Sequence, residues 1–281
     1  MKRLSFQDWQ RRWRNNGARL MLLLLSLAAV LPFGFIVWHV LREGAGAINW
    51  AFFTQLPRGP GDAGGGMANA ILGSVVMVMM SSVIGIPWGM AAGIYLSEYG
   101  QGRTATILRF TVDLLTSVPS IIVGIFIYGV VVVRFGFSAY AGALALSVIM
   151  LPIVARSTEE ILKLMPIHIR EAGLALGLPR WKVILKLVVP GSRTALLTGV
   201  MLAVARVFGE TAPLLFTALG NQYFSRSLAQ PTATMPVQIY NLAKSGFPDQ
   251  EQQAWAGALV LVVLVITINL ITRLVLSRKE T

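Results

Sequence analysis

Residues 170–179 read Arg-Glu-Ala-Gly-Leu-Ala-Leu-Gly-Leu-Pro. They lie at the centre of a polar segment, Arg156 to Arg193, which separates two long apolar runs. Helix breakers and cap residues recur in this segment between regularly spaced apolar residues, and a solvated connecting loop does not need such a pattern. We therefore expect the segment to fold and to contact a partner. The apolar runs on either side of it indicate the class of protein.

The polar segment is predicted to form two short helices. Because Pro166 is not tolerated in a helix interior, the segment divides there. The spacing then predicts a helix from Ile167 to Leu176, with Gly177 at its left-handed C-terminal end. Pro179 suits the first turn of a second helix, which continues until Pro190 stops it.

The composition and the long apolar runs indicate an integral membrane protein. Of its 281 residues 55% are hydrophobic and 13% are charged, and the mean hydropathy is +0.68. A run of about 20 apolar residues crosses the hydrocarbon core as a helix, and continuous rather than alternating runs exclude a barrel. The sequence therefore predicts an all-α polytopic membrane protein. Its six predicted transmembrane helices are Leu20–Leu41, Ile71–Leu96, Ile107–Val133, Ala139–Ala155, Ala195–Leu219 and Trp255–Leu276.

The basic residues set the predicted topology. The formal net charge is +12, which alone would suit a nucleic-acid partner. However, 18 of the 24 Lys and Arg residues fall on one side of the predicted spans: in the N-terminal segment, the loop between the second and third spans, the polar segment and the C-terminus. The loops on the other side hold only five. This asymmetry follows the positive-inside rule. We expect both termini and the polar segment to be cytoplasmic, membrane lipid to surround the chain, and nucleic acid not to be a partner.

The N-terminal run and the sparse reactive residues limit other interpretations. The run from Leu20 to Leu41 is longer than the ~7–15 residues of a signal-peptide core, so we expect a retained first span. Cysteine is absent, only two histidines occur, and carboxylates do not cluster inside the spans. We therefore expect no metal site and no catalytic residues.

Small residues and proline interrupt two of the spans. Gly85, Gly89 and Gly93 form a strip that lets another helix approach closely. In the third span, Pro119 and Ser120 break the ladder of backbone hydrogen bonds. Either these features serve helix packing, or the Pro119 kink lines a substrate pathway and bends during gating.

Two opposite charges fall inside the fifth span. Arg206 and Glu210, at i and i+4, are expected to share one helix face near the membrane centre. A buried charge there costs ~3 kcal/mol or more, so such residues usually face a bundle interior and serve function. One interpretation is a self-neutralising structural pair. In the other, Arg206 receives an oxyanion in the substrate pathway and Glu210 holds Arg206 in place.

The polar segment admits three interpretations: a solvated connector, a DNA-reading helix-turn-helix, or a docking helix for a cytoplasmic partner. Glu171-Ala172-Gly173, Gly177 and the later Leu187-x-Val189-Pro190 resemble the loop motif of permease subunits of ATP-binding-cassette (ABC) importers. Gly173 replaces the alanine of that motif, which suggests a looser docking helix. The resemblance implies a type I importer transmembrane domain, in which these residues couple the permease to its ATPase.

Further motifs narrow the resemblance to the inorganic-phosphate permeases of the PstA type. They are Tyr95-Leu96-Ser97-Glu98-Tyr99, Ser117-Val118-Pro119-Ser120, and Arg206 with Gly209-Glu210-Thr211-Ala212-Pro213. The resemblance implies phosphate as substrate, a second related permease of the PstC type, two ATP-binding subunits and an extracytoplasmic phosphate-binding protein. The chain has no phosphate-cradling Gly-Lys loop, so ATP and Mg²⁺ are expected on the partner and no cofactor on this chain.

The expected organisation is a cytoplasmic segment (1–19), a first transmembrane helix (20–41) and a permease core (65–276) with its coupling loop at 156–193. The resemblance places the protein in the cytoplasmic membrane of a prokaryote. Another oxyanion, such as sulfate, molybdate or phosphonate, is an alternative substrate, because arginine does not distinguish among these anions. A stand-alone secondary carrier is a further alternative, although the inverted repeats typical of carriers are not evident.

Overall fold

A computed structural model describes residues 6–277 except Pro60 and Ala63, with side chains omitted for 6–10, 12 and 272–277. In these ranges the chain is helical and forms no β-strand. The α-helices are α1 (Phe6–Gly44), α2 (Trp50–Thr54), α3 (Ala68–Glu98), α4 (Arg103–Ser117), α5 (Ser120–Ile127), α6 (Val133–Phe135), α7 (Ala139–Lys163), α8 (Ile167–Ala175), α9 (Arg180–Val183), α10 (Val189–Gly191), α11 (Arg193–Phe208), α12 (Ala212–Thr217), α13 (Met235–Ala243) and α14 (Pro248–Ser277). A 3₁₀ turn covers Ala45–Ala47, and π-helical turns cover Tyr128–Val132 and Ile184–Val188.

The long helices agree with a six-span membrane protein. In the described ranges, α1, α3, α7 and α14 are long and apolar enough to cross a bilayer. Two helix pairs are apolar enough together but are sharply bent, by 99° between α4 and α5–α6 and by 74° between α9–α10 and α11. Counting each bent pair as one span gives six, so the all-α polytopic prediction is confirmed.

Helix α3 lies directly on α7 along the predicted glycine strip. An added Cβ would come within 3.0 Å of Met150 at Gly85 and 2.8 Å of Val154 at Gly89. At Gly93 it would be 2.5 Å from the carbonyl oxygen of Ala155. The strip therefore serves helix packing, because any side chain here would force the two backbones apart.

The third predicted span, Ile107–Val133, is interrupted where the sequence predicts the break. Helix α4 ends at Ser117, and Val118 has extended backbone angles (φ −68°, ψ 126°) before α5 begins at Ser120. The cause is Pro119, which lacks an N–H and disfavours the helical conformation of the residue before it.

The fifth predicted span, Ala195–Leu219, is also interrupted. Helix α11 ends at Phe208, and residues 209–211 are not helical before α12 begins at Ala212. Helix α7 is longer than the fourth prediction and continues through Arg156 to Lys163. What connects α7 to α11 is therefore residues 164–192, which we call the connecting loop.

The contact of α3 with α7 makes a testable prediction about stability. Replacing Gly93 with alanine should lower the free energy of unfolding by roughly 1–3 kcal/mol, because the new methyl group overpacks a closed contact. The same change at Gly34 has open space around it and provides the matched control. Thermal unfolding of the purified chain measures both, and equal midpoints would contradict the packing.

Candidate functional site

The connecting loop begins with the predicted short helix. Helix α8 covers Ile167–Ala175, and Pro166 precedes its first turn. Gly177 follows with a positive φ of 77°, and the amide of Leu178 donates to the carbonyl of Gly173. This is the left-handed helix end that the sequence predicts, and it turns the chain sharply towards Pro179.

Helix α8 carries large apolar side chains that the chain itself does not cover. Ile167, Leu174 and Leu176 are 68%, 50% and 81% exposed. Glu171 and Ala172 are also exposed beside them. A cluster of exposed apolar residues that continues on α9 at Trp181 marks a surface for contact with another molecule.

Gly173 is the buried residue of α8, and it does not loosen the helix. An added Cβ would lie 2.8 Å from Leu187 and 2.9 Å from Val183. The missing methyl group instead lets α8 approach the second half of the connecting loop. The expectation of a looser docking helix is therefore wrong.

Pro190 does not stop the second loop helix. From Arg180 the chain passes through α9 and a π-helical turn into α10, which contains Pro190 and ends at Gly191. Pro190 is exposed and precedes the 74° bend into α11. Proline is tolerated here because Pro190 lies in the first turn of the short α10, where the N–H that it lacks has no partner within that helix.

The most extensive ion pair of the loop joins Glu98, at the end of α3, to Arg170 of α8. Neither residue was predicted as a site residue. Arg170 Nη2 lies 2.6 Å from Glu98 Oε1, and Nε lies 3.0 Å from Oε2. The Glu98 side chain is 3% exposed. The hydrogen bond to Glu98 raises the pKa of Arg170 above its ordinary value. The sequence feature that could have indicated this ion pair is a carboxylate, Glu98, at the very end of an apolar run.

A second buried carboxylate lies nearby on α7. Glu159 is 0% exposed, and Arg109 Nη2 and Lys163 Nζ lie 2.8 Å and 2.5 Å from its Oε1. Arg156 Nη1 is 3.7 Å from its Oε2. Three cations around one carboxylate leave a positive balance that compensates its burial and connects α4 to α7.

The two interrupted spans contact each other through the helices that follow their breaks. Helix α12 packs on α5, and an added Cβ on Gly124 would lie 2.6 Å from the Cα of Pro213. The break before α5 contains the exposed Pro119, and half-buried Ser120 is its first helical residue. Each break therefore precedes one of two helices, α5 and α12, that pack on each other.

Arg206 and Glu210 do not share a helix face, so that expectation is wrong. Arg206 lies in the last turn of α11, whereas Glu210 lies beyond the helix end, in the break before α12. The reason is that Gly209 ends the helix with its amide bonded back to Arg206 O, a three-residue reach. Among the described residues, no hydrogen bond or ion pair joins the two side chains.

The helix ends compensate these two charges separately. Arg206 is next to the negative C-terminal end of α11, and Glu210 is near the positive N-terminal end of α12. Arg206 is exposed and Glu210 is half-buried. Since a bare guanidinium is costly in lipid, the exposed face of α11 at Arg206 must meet water or another chain.

No group of three or more metal-binding side chains occurs in the part of the chain that the structure describes. The candidate functional regions are therefore two. One is the exposed surface of α8 on the connecting loop, and the other is the pair of helix breaks with Arg206.

A family model described as "Binding-protein-dependent transport system inner membrane component" matches residues 85–280. The match includes both candidate regions. The chain belongs to this family. It is a membrane permease component, and the resemblance to ABC importer permeases that the loop motif indicated is confirmed.

Two relatives carry the name "Phosphate transport system permease protein PstA". The protein of Yersinia pestis is 41% identical over 273 residues, covering 95% of this chain and 92% of the relative. That of Xylella fastidiosa (strain Temecula1) is 43% identical over 274 residues, covering 96% and 95%. The PstA-type resemblance is thereby confirmed.

A solved bacterial alginate ABC transporter, in complex with a pentasaccharide-bound periplasmic protein, has a similar fold. The TM-score is 0.61 at 14% identity, with 98% of this chain and 99% of that chain covered. At that identity the likeness concerns the fold alone, which is that of a type I ABC importer transmembrane domain.

The positive φ of Gly177 predicts how substitutions act there. A Cβ would meet no other atom within 4 Å, so the penalty arises from the backbone and not from a clash. Valine should cost roughly 1–2 kcal/mol in the left-handed conformation and distort the end of α8, whereas asparagine should be tolerated.

Solute uptake and binding of the ATPase subunit, both at matched membrane levels of the permease, measure this difference. Uptake by Gly177→Val should fall and uptake by Gly177→Asn should stay near the wild-type level. Equal uptake by the two variants would contradict a role for the left-handed helix end.

Proposed function

We propose that this chain is a membrane-spanning subunit of an ATP-driven importer that moves inorganic phosphate across the cytoplasmic membrane of a prokaryote. The observation that carries the proposal is the presence, in one chain, of an uncovered apolar helix on the connecting loop and an exposed arginine at the end of α11, beside a helix break. The names of the relatives support phosphate as the solute.

The energy source is proposed to be a separate pair of ATP-binding subunits. The sequence lacks a Gly-Lys phosphate loop, so ATP and Mg²⁺ would bind to the partner and this chain would hold no cofactor. Helix α8, with Ile167, Leu174 and Leu176 uncovered beside Glu171, has the character of an amphipathic helix that enters a groove of its partner.

The distribution of basic residues supports the orientation of the chain. Both termini and the connecting loop would face the cytoplasm, where the ATPase is located. The opposite side would receive an extracytoplasmic phosphate-binding protein. A second, related permease of the PstC type would cover the exposed face of α11 and complete the pathway.

The proposed mechanism is alternating access. Closure of the ATPase dimer would displace α8, and the connecting loop would pass the movement to the membrane helices.

Arg206 would interact with phosphate because a guanidinium stays charged and offers paired donors that match phosphate oxygens. Glu210, which follows the break, would limit how tightly the anion binds and so allow it to leave. Pro119 and Ser120, at the neighbouring break, would contribute the flexible part of the same pathway.

The anion role of Arg206 predicts a loss of transport without a loss of assembly. Arg206→Gln should lower phosphate uptake at least about tenfold, because the permanent charge and the paired donors are removed together. Arg206→Lys, which keeps the charge but not the fork, should retain part of the uptake. Arg226→Gln, in an exposed loop, is the control and should transport normally.

Labelled phosphate, sulfate and molybdate uptake by cells with an intact binding protein measures the effect and the choice of oxyanion together. Full phosphate uptake by Arg206→Gln would refute the anion role. Uptake of sulfate or molybdate but not phosphate by the wild type would refute phosphate as the solute.

A further inference from the structure

We propose that Glu98 is a positioning residue that ties helix α8 to the ends of α3 and α7, so that a displacement of α8 moves both helices. The inference rests on the proposed function, because it concerns how the work of the ATPase reaches the membrane helices. It assigns a mechanical role to a buried carboxylate that neither binds the solute nor faces the ATPase.

One guanidinium connects three elements at this point. Besides its three hydrogen bonds to the Glu98 carboxylate, Arg170 donates from Nη2 to the carbonyl oxygen of Leu162, 2.8 Å away near the end of α7. It also donates from Nη1 to the carbonyl oxygen of Met165, at 2.9 Å. Arg170 belongs to α8 and Glu98 to α3, so α3, α7 and α8 are joined through a single side chain.

A second arginine holds the same residue from the other side of the loop. Arg180, which begins α9, donates from Nη2 to the backbone carbonyl of Glu98. Its guanidinium also lies 4.9 Å from the ring centroid of Tyr99. The two arginines therefore flank the second half of α8 and its left-handed end, and both hold the end of α3.

The apolar contacts of α8 reach the spans indirectly, through Val183 and its neighbours in the loop, which pack in one cluster with Leu162 of α7. Its buried residue, Gly173, packs on Val183 and Leu187, which belong to the same connecting loop. The side-chain hydrogen bonds from α8 to α3 and α7 in the described structure come from Arg170. Without that side chain, α8 could tilt on the loop while α3 stayed in place.

The geometry requires a carboxylate at position 98. The fork of a guanidinium fits two carboxylate oxygens at once, which fixes orientation as well as distance. Glutamine has the same length but offers one acceptor oxygen and no charge. It would leave the guanidinium partly uncompensated and free to rotate, so Glu98→Gln tests rigidity with little change in volume.

The experiment uses the complete importer in proteoliposomes with its binding protein, and measures solute transported per ATP hydrolysed. For Glu98→Gln this ratio should fall roughly tenfold, the size of an ordinary coupling between two sites, while ATP hydrolysis and assembly stay near wild type. Arg170→Lys, which keeps the charge and loses the fork, should show the same direction of change. The matched control is Glu160→Gln, an exposed carboxylate at the same end of α7, and its ratio should be unchanged.

The outcomes separate this inference from the proposed function. An unchanged ratio for Glu98→Gln in a complex whose wild type is coupled would overturn the positioning role. If uptake and ATP hydrolysis fell in equal proportion, the residue would be structural only, and the inference would again fail. If Glu98→Gln does not assemble, Glu98→Asp keeps the carboxylate but shortens its reach, and a normal ratio for it and for Arg170→Lys would overturn the inference. A wild-type complex that hydrolyses ATP without moving any oxyanion would instead refute the proposed function.

Discussion

The close approach of α3 and α7 along Gly85, Gly89 and Gly93 is the contact on which the rest of the structure depends. In lipid the hydrophobic effect does not drive helices together, so closeness of backbones and the dispersion contacts it permits must do so. The glycines supply that closeness where any other residue would separate the two helices. Both helices end at the same side of the bundle, and their ends carry Glu98 and Glu159. The packing of α3 on α7 therefore positions the carboxylates at the ends of these helices, and Glu98 binds the connecting loop through its ion pair with Arg170.

A second constraint comes from the membrane itself. Backbone groups that leave a helix inside the hydrocarbon need other partners, so non-helical stretches are tolerated where protein or water surrounds them. This chain has two such stretches, before α5 and before α12, and the helices that follow them pack on each other at Gly124 and Pro213. Arg206 lies at the helix end beside one of them. Irregular backbone, helix-end dipoles and a permanent charge are the features on which the proposed anion pathway rests, and the exposed face of α11 at Arg206 must meet water or another chain.

The number of spans, the helix in the connecting loop and the left-handed Gly177 could be predicted from the sequence, because each depends on local patterns of apolar residues, proline and glycine.

The sequence was insufficient to predict the structure where local signals compete. Pro119 marked a break, but no local pattern gives the size of the bend, which is 99°. Gly209, with Pro213 after it, is a helix-end signal that the long apolar run obscured, so Arg206 and Glu210 were wrongly paired on one face. The contact of Glu98 with Arg170 joins residues 72 positions apart, which no spacing rule can reveal without the fold. Pro190 was misjudged because it lies in the first turn of the short helix α10, where proline is tolerated, and that helix ends one residue later at Gly191.

The central claim is that a movement imposed on the connecting loop by a separate ATPase opens and closes a pathway inside the membrane. Its most direct test is labelled-phosphate accumulation by proteoliposomes that contain this chain and its partner permease, with the binding protein outside and ATP inside, compared with and without the ATP-binding subunits. The account predicts accumulation against the gradient when the ATP-binding subunits are present and none when they are omitted. Accumulation of the same size without those subunits would contradict it and would identify the chain as part of a stand-alone carrier.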